Sequence, residues 1–204
     1  MAAFSAFRPY VMPDVPGCPQ VMIDDAIRGG CRQFAFDTWA VRYDVPAFNT
    51  VDATQSYVLT PPSQHEIFSV AVVVKDGEDP ALSPVIDHAS VRYVQTAGSP
   101  TFFWYKSTAL WLFPTPNVVV NLEVEAVIRP TQAATTVDDQ FLEYRDAVAA
   151  WAKYKLMMVS GKSWYNPSDA KENYALYMKL MGDQKVRSSN GRVAAPLRAM
   201  ADFF

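Results

Sequence analysis

One stretch of this 204-residue chain has the residue types of a phosphate-binding loop. Ser160-Gly161-Lys162-Ser163 ends in the Gly-Lys-Ser order with which backbone amides and a lysine can hold a phosphate. The complete pattern needs another glycine five positions before Gly161, where this chain has Leu156. It also needs a strand before the loop, whereas the spacing of apolar residues before Ser160 predicts a helix. We therefore interpret the stretch as the end of a helix and not as a nucleotide site.

The two histidines, His65 and His88, give little support for acid–base catalysis or metal binding. Neither lies in a nucleophile elbow, a His-Glu-x-x-His pattern or a catalytic cysteine signature. The nearest acidic cluster, Asp76, Glu78 and Asp79, lies in a predicted turn and is interpreted as solvated charge. The sequence therefore predicts no catalytic residue, no bound metal and no cofactor.

Two further pairs of side chains have plain structural explanations. Glu123 and Glu125 are two positions apart on a predicted strand, so their carboxylates share one face, as the exposed face of a sheet also predicts. Cys18 and Cys31 are the only cysteines and do not have a metal-binding spacing, so we expect free thiols in a reducing compartment.

Charge is distributed unevenly along the chain, whose formal net charge is −3. Residues 1–152 carry nine basic and seventeen acidic side chains, whereas residues 153–204 carry nine basic and four acidic ones. Such a division suits contacts between partners of opposite charge, including copies of one chain, and chance distribution over solvated faces is the alternative. The acidic total disfavours nucleic-acid binding. No signal peptide and no apolar run of about 20 residues is present, so we expect a soluble protein without membrane contact.

The elements that must position these side chains indicate an α+β fold that begins with an arm and a helix. Residues 1–18 contain Pro9, Pro13 and Pro16 and are predicted to form an extended N-terminal arm. Residues 19–39 are predicted to form a helix that packs on a C-terminal hairpin, with one apolar stripe that comprises Ile23, Ile27, Cys31 or Gly30, Phe34 and Thr38. Glycines 29 and 30 weaken this helix by about 1 kcal/mol each, which indicates a close contact there.

Residues 40–130 are predicted to form an antiparallel β region, either a sandwich or an open barrel. The predicted strands span residues 41–45, 56–59, 66–75, 101–105, 109–113 and 118–128. Asp76-Gly77 closes the third strand, and residues 78–100 are predicted to be an irregular excursion with one helical turn at 86–91. Six strands without an intervening helix favour antiparallel pairing.

Residues 138–186 are predicted to form an antiparallel helical hairpin. Its first helix carries Phe141, Tyr144, Val148, Trp151, Ala152, Leu156 and Val159 on one stripe, and Gly161 ends it. Asn166 supplies a cap, Pro167 fits the first helical position, and Asp169 places negative charge in the first turn. The second helix continues to about residue 186 with apolar positions Ala170, Tyr174, Tyr177 and Leu180 or Met181, and Trp164 and Tyr165 stand at the corner.

Residues 187–204 show no sustained periodicity and are predicted to form a C-terminal docking tail that becomes ordered against a partner. The tail is basic and ends in two aromatic side chains. Its candidate contact residues are Arg187, Arg192, Arg198, Phe203 and Phe204.

Three stretches give the chain a resemblance to a known family. The first runs from Ile23-Asp-Asp-Ala-Ile-Arg28 through Phe34 to Trp39, and the second is the strand that Asp76-Gly77 closes. The third runs from Tyr144-Arg-Asp-Ala-Val148 through Leu156-Met-Met to Gly161-Lys-Ser-Trp-Tyr-Asn-Pro167. In this order the chain resembles the head-to-tail adaptor, or neck, proteins of tailed bacteriophages, including the tubular adaptors of short-tailed phages.

The resemblance implies a structural virion protein and not an enzyme. Proteins of this kind form a homo-oligomeric ring, usually a dodecamer, below the portal protein, extend the channel through which DNA passes, and dock the next tail or nozzle protein. It implies a location in the head-tail neck of the virion, and in the host cytoplasm during assembly. On this resemblance we expect the portal and subunit interface to include the hairpin corner and the tail, namely Trp164, Tyr165, Arg187, Arg192, Arg198, Phe203 and Phe204.

Two other classes of function stay open at this point. A ligand-binding β-sandwich, for example for carbohydrate, could use an aromatic platform formed by Phe102, Phe103, Trp104, Tyr105 and Trp111. Strand alternation turns about half of these rings inward, so core packing is the commoner explanation. An enzyme of unrecognised type would need a titratable group with a perturbed pKa in a cleft.

Overall fold

The computed structural model describes residues 1–75, 81–85 and 97–189, which divide into two compact units. One, the β unit, consists of Met1–Ala3 and Val41–Asp139. The other, the helical unit, consists of Phe4–Ala40 and the chain from Gln140 onwards. The predicted α+β class is confirmed, because helices and mainly antiparallel sheets both occur.

Three α-helices form the helical unit: α1 at Gln20–Thr38, α2 at Arg145–Met157 and α3 at Pro167–Ser189. The stripe predicted for α1 is its buried face, which includes Ile23, Ile27, Cys31, Phe34 and Thr38. The helix ends where predicted, because Trp39 takes a left-handed conformation and its amide donates to the carbonyl of Ala35.

The two glycines of α1 lie where α1 meets α2, as the sequence indicates. A Cβ atom on Gly30 would stand 2.9 Å from the carbonyl oxygen of Val148, and one on Gly29 would stand 2.9 Å from the indole of Trp151. The helices therefore approach each other more closely than a side chain at position 30 allows.

Helices α2 and α3 form the predicted antiparallel hairpin. Tyr144, before α2, receives a hydrogen bond from Gln184 late in α3, whereas the rings of Tyr154 and Tyr174 meet at 4.8 Å nearer the corner. The first helix starts later than predicted, because Asp139–Tyr144 forms a 3₁₀ helix. The second extends to Ser189, so it includes Arg187 from the predicted tail.

The caps at the start of α3 are those that the sequence predicts, whereas Gly161 does not end the helix before it. Helix α2 ends at Met157, and Gly161, with φ of 75°, takes the left-handed conformation four residues later, in the connection. The Asn166 side chain accepts from the amide of Asp169 and donates to the Asp169 carboxylate at 2.6 Å. The first of these contacts caps the start of α3.

The predicted extended arm over residues 1–18 was wrong for most of its length. Phe4–Ala6, Arg8–Tyr10 and Met12–Asp14 are short 3₁₀ helices of the helical unit. In and between these turns the chain buries four apolar side chains at helical spacing, Phe4, Phe7, Val11 and Val15. The prolines start the second and third of these turns at the first or second position, where a missing amide hydrogen costs nothing.

The N-terminal segment is held to the helices by charged and aromatic contacts. Arg8 makes a two-pronged ion pair with Asp24 of α1, with contacts of 2.8 and 2.6 Å. Lys153 of α2 pairs with Asp14 at 2.6 Å, and the Arg145 guanidinium lies over the ring of Tyr10.

The β unit contains eleven strands among the described residues: β1 at Ala2–Ala3, β2 at Arg42–Asn49, β3 at Ser56–Val58, β4 at His65–Lys75, β5 at Ser83–Pro84, β6 at Ala97–Gly98, β7 at Phe102–Lys106, β8 at Ala109–Phe113, β9 at Thr115–Pro116, β10 at Asn121–Pro130 and β11 at Thr136–Val137. They form a three-stranded sheet in the order β2-β10-β4, a four-stranded sheet in the order β3-β8-β7-β5, and the two-stranded pairs β1-β11 and β6-β9. Within the described ranges both larger sheets have open edges, so neither closes into a barrel by itself.

The central strand β10 follows the predicted alternation. Leu122, Val124, Ala126 and Ile128 are buried, although Val127 is buried as well. Pairing in the larger sheets is antiparallel except that β5 lies parallel to β7, and β6 is also parallel to β9. The sequence did not indicate these two-residue parallel contacts, because both come from the predicted excursion at 78–100.

Candidate functional site

His65 has a structural environment, as its sequence context suggested. It is buried, its Nδ1 lies 2.8 Å from the carbonyl oxygen of Ser63, and its Nε2 accepts a hydrogen bond from the Asp138 amide at 3.0 Å. A neutral ring with its proton on Nδ1 satisfies both contacts. Because both ring nitrogens bind backbone groups, His65 links β4 to the chain after β11. The other histidine, His88, lies outside the described residues, as does the predicted turn at Asp76-Gly77.

The Gly-Lys-Ser stretch lies between two helices and not between a strand and a helix. Helix α2 precedes it and ends at Met157, so Gly161 lies in the left-handed conformation within the connection, and the prediction that it ends the helix was wrong. The amide of Tyr165 donates to the carbonyl of Lys162. The geometry is that of a connection between two helices.

The aromatic residues of β7 and β8 are divided between the two faces of their sheet. Phe103 is buried, whereas Trp104 and Trp111 are half-buried and lie directly opposite each other across the strands. The ammonium of Lys106 stands 5.0 Å from the ring of Trp104, and the Tyr105 hydroxyl donates to the carbonyl of Ile67. Several of these rings therefore already have intramolecular contacts, which fits core and sheet packing.

The two aromatic residues of the hairpin corner that were predicted for an interface differ in their exposure. Tyr165 is 46% exposed, whereas Trp164 is only 8% exposed. The indole nitrogen of Trp164 has no hydrogen-bond partner among the described residues, which costs about 1–3 kcal/mol. Tyr165 is therefore the residue of this pair that another molecule can reach.

The structure separates Arg187 from the hairpin corner with Trp164 and Tyr165, which are the predicted interface residues that it describes. Arg187 is exposed near the end of α3, about 30 Å along the helix from the corner at 1.5 Å per residue. The other four predicted contact residues, Arg192, Arg198, Phe203 and Phe204, lie outside the described residues. The described members thus mark two ends of one helix.

An acidic surface lies on the three-stranded sheet, and we call it the acidic face. It consists of Asp44 on β2, Glu123 and Glu125 on β10, and the half-buried Val72 and Val74 on β4. These side chains border a shallow hollow of about 390 Å³. Among the described residues no group of three His, Cys, Asp or Glu side chains could hold a metal ion. The carboxylates give this surface its negative charge.

A second hollow, of about 410 Å³, lies in the helical unit where α1 and α3 end. Phe36, Trp39, Met181 and Lys185 contribute to its lining. Beneath it the buried Tyr177 donates a hydrogen bond of 2.5 Å to Asp37. Burial first, and then this hydrogen bond, raises the pKa of the Tyr177 phenol, so the phenol stays protonated and donates.

The two thiols are free, as predicted, and burial raises the pKa of both. Cys31 is completely buried in α1, whereas Cys18 is partly exposed before it. A thiol whose pKa is raised by folding stays protonated in the native state while the unfolded thiol ionises above about pH 8.5. The unfolded state then binds fewer protons, so stability is complete below that pH and falls as the pH rises.

We expect the free energy of unfolding to fall between pH 8 and pH 10, and substitution Cys31→Ala to reduce this fall. One buried thiol contributes up to about 1.4 kcal/mol per pH unit in this window. Urea unfolding followed by circular dichroism at pH 8, 9 and 10 measures the slope. The matched Cys18→Ala variant should keep most of the wild-type slope, and equal slopes for both variants would contradict the prediction.

The element order, in which a helix is followed by strands and a terminal helical hairpin, is the one on which the resemblance to head-to-tail adaptors rests. A family model described as SU10 adaptor protein matches residues 6–200, which is nearly the whole chain. The chain therefore belongs to the SU10 adaptor protein family, and the resemblance to head-to-tail adaptors of bacteriophages is confirmed. This is a family of structural virion proteins and not of enzymes. No curated protein matches the chain.

An adaptor of this family associates with other components of the phage head and tail. In the described ranges no helix is both long and apolar enough to cross a bilayer.

Proposed function

We propose that copies of this protein form a ring below the portal protein in the neck of the virion, with twelve as the expected number. The ring extends the DNA channel and docks the next tail or nozzle protein. The family match over residues 6–200 carries this proposal, because it includes both compact units and most of the chain after α3. Assembly takes place in the host cytoplasm, where the portal is first available.

The helical hairpin serves as the scaffold of the ring, and the chain after it serves as the docking arm. Tyr165 and Arg187 are exposed at opposite ends of α3, so each is accessible to a neighbour or to the portal. The arm contributes two arginines and two phenylalanines, the residue types that supply much of the binding energy at protein interfaces. Trp164 then supports the corner from inside.

Passage of DNA through such a ring requires that the channel wall does not hold phosphate groups. A surface rich in carboxylates repels the DNA backbone and releases no counterions from it, so DNA does not bind to such a surface. The strand-rich part of the chain carries most of the acidic excess, which suits it to the channel.

Truncation after Ser189 tests the docking arm without shortening α3. We expect the truncated protein to keep the helical circular dichroism of the full-length chain and to lose its binding to portal rings of the same virus. Electron microscopy and co-sedimentation with the portal measure this loss. Failure of the full-length chain to bind the portal would contradict the adaptor function, whereas equal binding by the truncated chain would contradict only the arm.

A double substitution tests whether the two terminal phenylalanines of the docking arm contribute to portal binding. Phe203→Ala combined with Phe204→Ala should weaken portal binding by about 10-fold or more, since buried aromatic anchors commonly contribute more than 1 kcal/mol each. Phe102→Ala, at an exposed phenylalanine of β7, is the matched control and should leave portal binding unchanged.

A further inference from the structure

We propose that the acidic face of one copy binds the outward side of α3 on the next copy. This inference rests on the proposed ring and identifies the contact between its neighbouring subunits. On that side we call one line of residues the basic face, and it consists of Lys171, Ala175, Met178, Gly182 and Lys185.

The acidic face concentrates negative charge by its register. Glu123 and Glu125 project from the same side of β10, and Asp44 lies directly opposite Glu125 on β2. Arg42 pairs with Glu125 at 3.3 Å, whereas Asp44 and Glu123 have no cationic partner among the described residues. Like charges in directly opposed positions destabilise a sheet. A cation from outside would relieve this repulsion.

The floor of the acidic face is apolar enough for a protein partner. Val72 and Val74 on β4 lie directly opposite Glu125 and Glu123 on β10 and remain half-exposed, next to the hollow. Protein–protein contacts combine apolar and charged side chains in this way. Such a face fits a helix that carries both cations and apolar side chains.

The basic face has that composition. Lys171, Ala175, Met178, Gly182 and Lys185 follow one another at intervals of four, three, four and three residues, so they form one line along α3. The side turned to the rest of the helical unit carries Ala170, Tyr177 and Gln184 instead. Met178 is 43% exposed, and the line contains cations but no carboxylate.

Gly182 gives this line a second reason to be an interface. A glycine inside a helix costs about 1 kcal/mol relative to alanine, and Gly30 has a packing reason for that cost. Among the described residues a Cβ atom on Gly182 would meet nothing within 4 Å, so packing in that part of the chain does not require a glycine there. Close approach of another molecule to the helix at Gly182 explains the residue.

The two faces are different, so their contact is heterologous. A head-to-tail contact of this kind generates a ring when its rotation closes. It also explains the charge division of the sequence, because the acidic face lies in the acidic part of the chain and α3 lies in the basic part. Duplex DNA is a poorer partner, since the carboxylates would repel it.

Charge reversal on each face tests the contact in solution. The acidic-face variant carries Asp44→Lys and Glu123→Lys, and the basic-face variant carries Lys171→Glu and Lys185→Glu. Sedimentation velocity at low salt should show self-association of the wild type. Each variant alone should associate at least about 10-fold more weakly, and 0.5 M salt should weaken the wild type likewise.

Mixing and recombination make the assignment specific. Each reversed variant keeps one native face, and in an equimolar mixture the native faces match each other and so do the reversed faces. The mixture should therefore form alternating assemblies that neither variant forms alone. A chain that carries all four substitutions should again form larger assemblies, because its two faces are complementary once more. Asp52→Lys and Lys162→Glu, at exposed positions away from both faces, are the matched controls and should behave as the wild type does.

Three results would overturn the contact: a wild type that stays monomeric at millimolar concentration and low salt, reversed variants that associate like the wild type, or a mixture that stays monomeric. Portal binding by the wild type is measured in parallel. If the wild type binds the portal but the charge-reversed variants self-associate as strongly as the wild type, this contact is wrong and the adaptor function stands. If the faces bind each other but the portal is never bound, the contact stands and the adaptor function is wrong.

Discussion

Substitution Gly30→Ala is expected to lower the free energy of unfolding of the helical unit by up to about 2 kcal/mol. The new methyl group would stand 2.9 Å from the carbonyl oxygen of Val148, and a backbone atom of a packed helix cannot turn aside. Overpacking of this kind costs about 1–3 kcal/mol, and the better helix propensity of alanine offsets about 1 kcal/mol. Urea unfolding followed at 222 nm, where helices dominate the signal, measures the change.

The same substitution at two other helical glycines provides the controls. At Gly182 nothing lies within 4 Å of the new Cβ atom, so Gly182→Ala should stabilise by up to about 1 kcal/mol. At Gly29 the neighbour is the side chain of Trp151, which can move by a few tenths of an ångström, so that variant should lie between the other two. A different order of the three stabilities would contradict the close packing of α1 on α2. The measurements are made at high salt, where contacts between copies are weak.

Substitution Tyr177→Ala is expected to have a larger effect, a loss of about 3–5 kcal/mol, because it empties the space of a buried aromatic ring. Tyr177→Phe isolates the hydroxyl group and should cost about 1.5–3 kcal/mol, as hydrogen bonds to charged groups do. Its partner Asp37 also accepts from the side chain of Gln33, so the carboxylate keeps one donor. Chemical unfolding of the three proteins measures both effects.

A double-mutant cycle assigns the loss to the Tyr177–Asp37 pair. If the hydrogen bond carries the effect, Tyr177→Phe should cost much less in an Asp37→Asn background than in the wild type. Tyr165→Phe, at an exposed tyrosine of the hairpin corner, should change stability by less than about 0.5 kcal/mol. Additive losses in the cycle would mean that the hydroxyl group does not act through Asp37.

The helical unit could be predicted from the sequence where local rules govern it. The stripe from Ile23 to Thr38 follows the 3.6-residue period, and Asn166, Pro167 and Asp169 act on groups only a few residues away. The first eighteen residues were mispredicted because their prolines were interpreted as an extended chain. Their apolar spacing at Phe4, Phe7, Val11 and Val15 carried the helical signal and could have corrected the interpretation.

The acidic face could be predicted only in part. The shared side of Glu123 and Glu125 follows from alternation along one strand. The position of Asp44 opposite Glu125 depends on which strands pair and on a register shift between Leu122 and Val124. Neither is encoded in a local pattern, because strand pairing is set by residues far apart in the chain. The parallel contacts of β5 and β6 were missed for the same reason.

The unbroken length of α3 fixes the distance between the two ends of the hairpin. The helix runs from its N-cap at Asn166 to Ser189 without an internal proline, so Tyr165 and Arg187 are held about 30 Å apart at a fixed angle around one axis. One inserted residue would rotate everything beyond it by about 100°, whereas seven would lengthen the rod by about 10 Å and nearly preserve the angle. We therefore expect insertions and deletions in this helix to be tolerated in steps of seven residues.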